Sequence, residues 1–185
     1  MQTLDLTKST PRSESRLKSL FWPSIQSASD VDYLGTQGYW VCALTAVVSL
    51  VFLIAAGHPI AAVFTSLFYY LGGVGVRERS QYAATVVLIL YVSDTVLVGF
   101  SIVRILLTAL LLSNTRATWI ASEWKPESSE AVLPPRFNET WTDKFADIFP
   151  MWLWPKVRVA FYVFSACLLV LSAIGWMVLF KRHGA

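Results

Sequence analysis

Asp94 and Arg104 are the only strongly charged residues within the apolar stretch between Ser80 and Asn114. Either charge costs about 2.5–3.5 kcal/mol at the centre of a membrane-spanning helix, and less toward the interface. Such a pair has two uses. It can serve as an ion or proton relay or a polar substrate contact, helped by the hydroxyls of Ser93, Thr95, Ser101 and Thr108. It can also be a salt bridge that fixes two short helices. The second use is preferred here, because one pair near an interface is a thin basis for transport.

Gly72-Gly73-Val74-Gly75-Val76-Arg77, with Arg79 close behind, is the other run with chemical possibilities. A backbone nest flanked by Arg77 and Arg79 would bind a phosphate or a lipid headgroup. The glycines lack the spacing of a P-loop or a dinucleotide fingerprint. A helix that stops on glycine and is followed by cytoplasmic arginines is the simpler account. Cys42 and Cys167 fall at different depths of the apolar body, too far apart for a disulfide. His58 and His183 are the only histidines, and neither adjoins a cysteine or carboxylate cluster. No metal site follows, and neither HExxH nor GxSxG occurs. The chain therefore carries no recognisable catalytic residues and implies no cofactor. Its net charge of +3 is too small to suggest nucleic acid.

The elements that must carry these residues are apolar helices. Of the 185 residues 55% are hydrophobic and only 15% charged, and mean hydropathy is +0.54. No Asp, Glu, Lys or Arg occurs from Tyr33 to Val76, nor again from Ala160 to Phe180. A bilayer is crossed by about 20 apolar residues, so the fold class is an all-α integral membrane bundle. Gly57-His58-Pro59 divides the first run into spans at about 39–56 and 59–76, joined as a helical hairpin with His58 in the solvated turn. The stretch from Ser80 is either one long helix, giving four spans in all, or two spans broken near Ser93-Asp94-Thr95 or at Gly99. Two spans are preferred, at about 80–93 and 99–121, with Asp94 able to open the second as its N-cap. The last span lies at about 158–180.

Charge asymmetry supports five spans. Four Lys/Arg fall in the N-terminal tail, two at 77–79 and six between 116 and 158, twelve of the fifteen in all. Five spans place those twelve on one side and leave only Lys181 and Arg182 opposite, which puts the N-terminus in the cytoplasm of a plasma or inner membrane. The resulting organisation is a partly disordered cytoplasmic tail (1–38), a four-span region (39–121), a cytoplasmic loop (122–157) and the last span with a short tail (158–185).

Outside the spans, Leu17, Leu20, Phe21 and Trp22 suggest a short interfacial helix beside Lys18, or a sticky stretch packed on the bundle. Asp30 and Asp32 stand where they could cap the first span. In the long loop, Trp141, Phe145, Ile148 and Phe149 recur at helical spacing, capped by Thr140 or Asn138. With Trp152 and Trp154 they form an interfacial aromatic anchor on a short amphipathic helix. Asn138-Glu139-Thr140 matches a glycosylation sequon, which a cytoplasmic position would leave unused. Ala109, Ser113, Ala117 and Ala121 form a small-residue stripe, and Ala62 and Ser66 repeat its spacing, so these faces suit close helix packing within or between subunits.

These features point first to a non-catalytic structural, accessory or assembly component of a membrane complex, or a stand-alone bundle. The alternative is a small channel or transporter using Asp94 and Arg104. The expected partners are the lipid bilayer and either another membrane protein or further copies of the chain.

Overall fold

A computed structural model describes residues 21–25, 28–123 and 141–183. Those residues form five helices and no strand: α1 (Ala28–Ala55), α2 (Pro59–Arg77), α3 (Gln81–Val98), α4 (Ile102–Glu123) and α5 (Trp141–His183). The proposed helix around Leu17 and Leu20, the sequon and the caps at Asn138 and Thr140 lie outside the described residues.

Four helical stretches are long and apolar enough to cross a membrane: Asp30–Ala55, Pro59–Arg77, Gln81–Val98 and Pro150–Val178. α4 has the length, with 22 residues or about 33 Å of helix. Arg104, Ser113, Asn114 and Arg116 dilute its apolar character. It packs against α1 and α3 as a full member of the bundle.

Local chemistry makes each turn. After α1, Gly57 takes the left-handed conformation (φ 81°), and the N–H groups of Gly57 and His58 bond back to the carbonyls of Ile54 and Leu53 at 3.0 and 2.8 Å. That satisfies the last carbonyls of the helix. Pro59 then opens α2 at a position where its missing N–H costs nothing. After α2, Ser80 N–H closes on Gly75 O, and the Ser80 hydroxyl accepts from Ala83 N–H to cap α3.

Two helices form over 80–121, as preferred, with the break at Gly99: at φ 118° it ends α3, and the Ser101 hydroxyl accepts from Arg104 N–H to start α4. The sequence reading needs three corrections. First, Asp94 lies inside α3 rather than capping α4, and the span expected to end at Ser93 runs on to Val98. Secondly, α1 begins at Ala28, not near 39, because Val31 and Leu34 are buried and Asp32 has a partner inside the bundle. Residues 28–38 are thus helix rather than tail. Thirdly, the amphipathic segment and the last span are not separate. α5 runs unbroken for 43 residues, about 65 Å, with Pro150 and Pro155 inside it. Each proline removes a backbone N–H, leaving the carbonyl four residues earlier without its usual donor.

The core gathers toward one end of the bundle. Tyr39 and Cys42 of α1, Phe68, Tyr69 and Val74 of α2, Val87 and Leu90 of α3, and Trp154 and Phe161 of α5 form one buried cluster. Toward the α1–α2 and α3–α4 turns the residues are apolar yet exposed, among them Phe52, Ile60, Val98, Phe100 and Ile102. The C-terminal part of α5 is the same, with Val170, Leu171, Met177 and Phe180 exposed. Apolar surface this extensive suits hydrocarbon, not water.

Candidate functional site

The helix termini converge to make two polar centres, one at each end of the bundle. At the α3–α4 end, Tyr69 of α2 donates its hydroxyl to Asp94 Oδ2 of α3 at 2.8 Å. Tyr69 also meets Tyr91 edge to face at 6.1 Å. Arg104, in the first turn of α4, donates from Nη1 to the main-chain carbonyl of Asp94 at 3.2 Å. The hairpin thus brings Asp94 and Arg104 together as the sequence suggested, but not as a salt bridge. Among the described residues the guanidinium makes no ion pair with the carboxylate. It sits instead on a carbonyl in the last turn of α3, where the helix dipole favours a cation.

The hydroxyls expected to accompany the pair are mostly engaged locally. Thr95 donates to Tyr91 O and Thr108 to Arg104 O, each at 2.8 Å, while Ser101 caps α4. They do not form a polar path.

A cleft of about 210 Å³ opens beside Asp94 between α2, α3 and α5. Thr65, Phe68 and Tyr69 line it from α2, Leu90, Asp94 and Leu97 from α3, and Leu168, Leu171 and Ser172 from α5.

Arg77 forms the centre at the opposite end. Its Nη1 lies 2.7 Å from Asp32 Oδ1, and it also reaches Asp32 O at 3.3 Å. Its Nε donates to Ala146 O at 3.3 Å. Ala146 O is the carbonyl that Pro150 leaves without a helical donor. One side chain thus ties α2 to α1 and to α5. The arginine and aspartate side chains are 8% and 12% exposed, so the pair is largely desolvated. Further ties surround it. Asn114 Nδ2 donates to Leu34 O at 2.8 Å, Thr115 Oγ1 to Ala84 O at 3.2 Å and Arg116 Nη1 to Pro23 O at 3.2 Å. The Arg116 guanidinium also covers the Trp22 ring at 4.6 Å.

The glycine run is part of this packing. A Cβ at Gly73 would come within 2.7 Å of Cys42 Cβ, and one at Gly75 within 2.6 Å of Ala83 Cβ and 2.5 Å of Trp154. A Cβ at Gly72 would collide with Val87. The three glycines stay inside α2, buried, each letting a neighbouring helix approach. They form no nest, and Arg77 is committed to Asp32 and Ala146 rather than to a headgroup. Arg79 follows with φ 56° in the turn.

The aromatic anchor divides. Trp152 is exposed, with Lys156 Nζ 3.6 Å above its ring. Trp154 is buried against Gly75 and Phe161, so it is a core residue rather than an anchor. Trp141, Phe145 and Phe149 lie on α5, and their side chains fall outside the described residues. In the small-residue stripe Ser113 and Ala117 are buried and Ala109 and Ala121 half-buried. Ala62 is fully buried in α2. Cys42 is a buried free thiol and Cys167 an exposed one.

Sequence reasoning passed over Tyr69 as the partner of Asp94, and Asp32, Ala146 and Asn114 as partners in the clamp. A signal existed for one of them: proline at 150 marks the carbonyl at 146 as needing an outside donor. A scan against family models and searches of curated proteins and solved structures found no match to this chain.

Proposed function

We propose that the chain is a five-span, non-catalytic component of a membrane complex, serving in structure or assembly. The observation that carries this reading is the use of the polar groups in the body. Arg77, Asn114, Thr115 and Arg104 each bond one helix to another, and Arg116 ties α4 to the segment before α1. Polar groups spent in this way specify how helices assemble. Five spans follow from counting α4 with the four more apolar helices. The N-terminus of α1, the α2–α3 turn, the end of α4 and the start of α5 then share one side. Arg77, Arg79, Arg116, Lys156 and Arg158 are concentrated there, and this excess of basic residues supports a cytoplasmic position for that side, in keeping with a plasma or inner membrane. The test is purification from the native membrane in mild detergent, with mass spectrometry of what co-purifies. A stoichiometric partner protein is the expected result; a clean monomer refutes the accessory role.

One observation favours a second reading, a small channel or transporter. The Asp94 carboxylate lines an open cleft instead of being closed off by Arg104. Under that reading, Asp94→Asn abolishes a flux while leaving expression intact. Under the first reading it changes neither expression nor partner recovery.

A further inference from the structure

We infer that the cleft between α2, α3 and α5 is a binding site for an organic ammonium ion, a protonated amine carried on a compact apolar body. This rests on neither reading above, since a ligand can be held without being moved.

The carboxylate of Asp94 is on the cleft wall and only partly used. Oδ2 accepts from the Tyr69 hydroxyl, while Oδ1 has neither a hydrogen bond nor an ion pair among the described residues. The nearest cation by sequence, Arg104, is bonded to the main chain of the same residue. Asp94 is exposed near the end of α3, and its carboxylate borders a lining that is otherwise mostly apolar; a carboxylate oxygen beside apolar walls is costly to leave without a donor. A donor N–H carrying positive charge offsets that cost best. An anion would be repelled, and a neutral apolar molecule would leave Oδ1 unpaired.

The remaining lining selects among cations. Phe68, Leu90, Leu97, Leu168 and Leu171 supply apolar walls, and only Thr65 and Ser172 add further hydroxyls. A hard cation such as Ca2+ or Mg2+ needs about six oxygen ligands, which this lining does not offer. An ammonium group on hydrocarbon matches both halves of the surface. At about 210 Å³ the cleft is smaller than the usual ligand pocket and has room only for one ring or a short chain. Alkylamines, like the lysine side chain with its pKa of about 10.4, are protonated at neutral pH.

The proximity of Arg104 gives the site a signature that a merely structural Asp94 would not have. Its charge opposes that of the ligand. Asp94→Asn should therefore weaken ammonium binding at least about tenfold, the worth of one charge-assisted contact, while Arg104→Gln should strengthen it.

The experiment uses the full chain in phosphatidylglycerol nanodiscs, titrated calorimetrically with 2-phenylethylamine and with 2-phenylethanol as its neutral counterpart. Saturable amine binding is expected, with the alcohol at least about tenfold weaker and the two variants shifting affinity in opposite directions. The inference is overturned by absence of saturable amine binding, by equal affinity for the alcohol, or by Asp94→Asn binding as the parent does. Should Asp94→Asn fail to fold, Leu168→Trp decides, because it fills the cleft and leaves Asp94 intact. Lost binding supports the site, and unchanged affinity overturns it. Adding phosphatidylethanolamine separates two sources of the same chemistry: competition with the probe makes a lipid headgroup the occupant, and its absence makes it a free amine.

Discussion

Replacing Arg77 with methionine is the most informative perturbation of this molecule. The change keeps an unbranched apolar stem but takes the guanidinium away from two acceptors. Asp32 is left as a largely buried carboxylate beside an apolar side chain, and breaking such a pair from one side costs about 3–5 kcal/mol. Ala146 O loses its donor as well, and a buried unpaired carbonyl costs about 1–3 kcal/mol. The long 3.3 Å contact puts that part near the lower bound. The two parts can be separated. Asp32→Asn in the Arg77→Met background removes that charge and recovers most of the first part. Pro150→Ala restores a backbone N–H four residues after Ala146 and recovers the second. In the parent chain Pro150→Ala has less to add, because Arg77 already serves that carbonyl. Its effect should therefore be larger by about 1 kcal/mol in the Arg77→Met background, or about 2–4 °C in midpoint for a chain of this size. Thermal unfolding in nanodiscs, followed by tryptophan fluorescence, reads all four combinations. Equal increments from Pro150→Ala in both backgrounds would refute the claim that Arg77 substitutes for the missing helical donor.

Three further outcomes are expected. Gly75→Ala destabilises despite the roughly 1 kcal/mol that alanine gains over glycine in a helix, because its Cβ meets Ala83 and Trp154. Gly175→Ala, with nothing within 4 Å, stabilises by up to that amount, and unfolding midpoints compare the two. Asn114→Ala leaves Leu34 O without its side-chain donor and lowers stability by about 1–3 kcal/mol, read in the same assay. In a chain freed of Cys42 and Cys167, His58→Cys reacts with an impermeant maleimide in intact cells, and Glu78→Cys reacts only after permeabilisation. The reverse pattern overturns the proposed orientation.

Sequence reasoning located the turns wherever their chemistry is local. Gly57-His58-Pro59 carries its own φ requirement and its own helix start, and Gly99 likewise ends a helix. It misjudged elements whose limits depend on remote partners. α1 extends back to Ala28 because Asp32 meets Arg77, forty-five residues away, and no local pattern records that meeting. The amphipathic segment and the last span read as separate elements, yet α5 continues through Pro150 and Pro155 between them; at Pro150 an arginine from another helix takes over the vacated carbonyl. Trp154 read as an interfacial residue because tryptophan is common there. Gly75 opposite it provides the space that makes it a core residue. Near Asp94, the pattern fixed the meeting with Arg104, while side-chain reach decided that Tyr69 takes the carboxylate.

The uneven distribution of the core implies a gradient of local stability along the membrane normal. Around Arg77 any opening must break hydrogen bonds to two other helices and expose a desolvated charge, so it approaches global unfolding. In the final turns of α5 side chains such as Met177 and Phe180 have few interior neighbours, so opening there forfeits little packing. Backbone amides near Val74 should therefore exchange with solvent deuterium only through whole-molecule unfolding, while those near Phe180 exchange through small, frequent fluctuations. The cleft beside Asp94 lies between these regimes, with Phe68, Tyr69 and Leu90 in the buried, slow-exchanging part and Asp94, Leu97 and the α5 wall nearer the fast-exchanging surface.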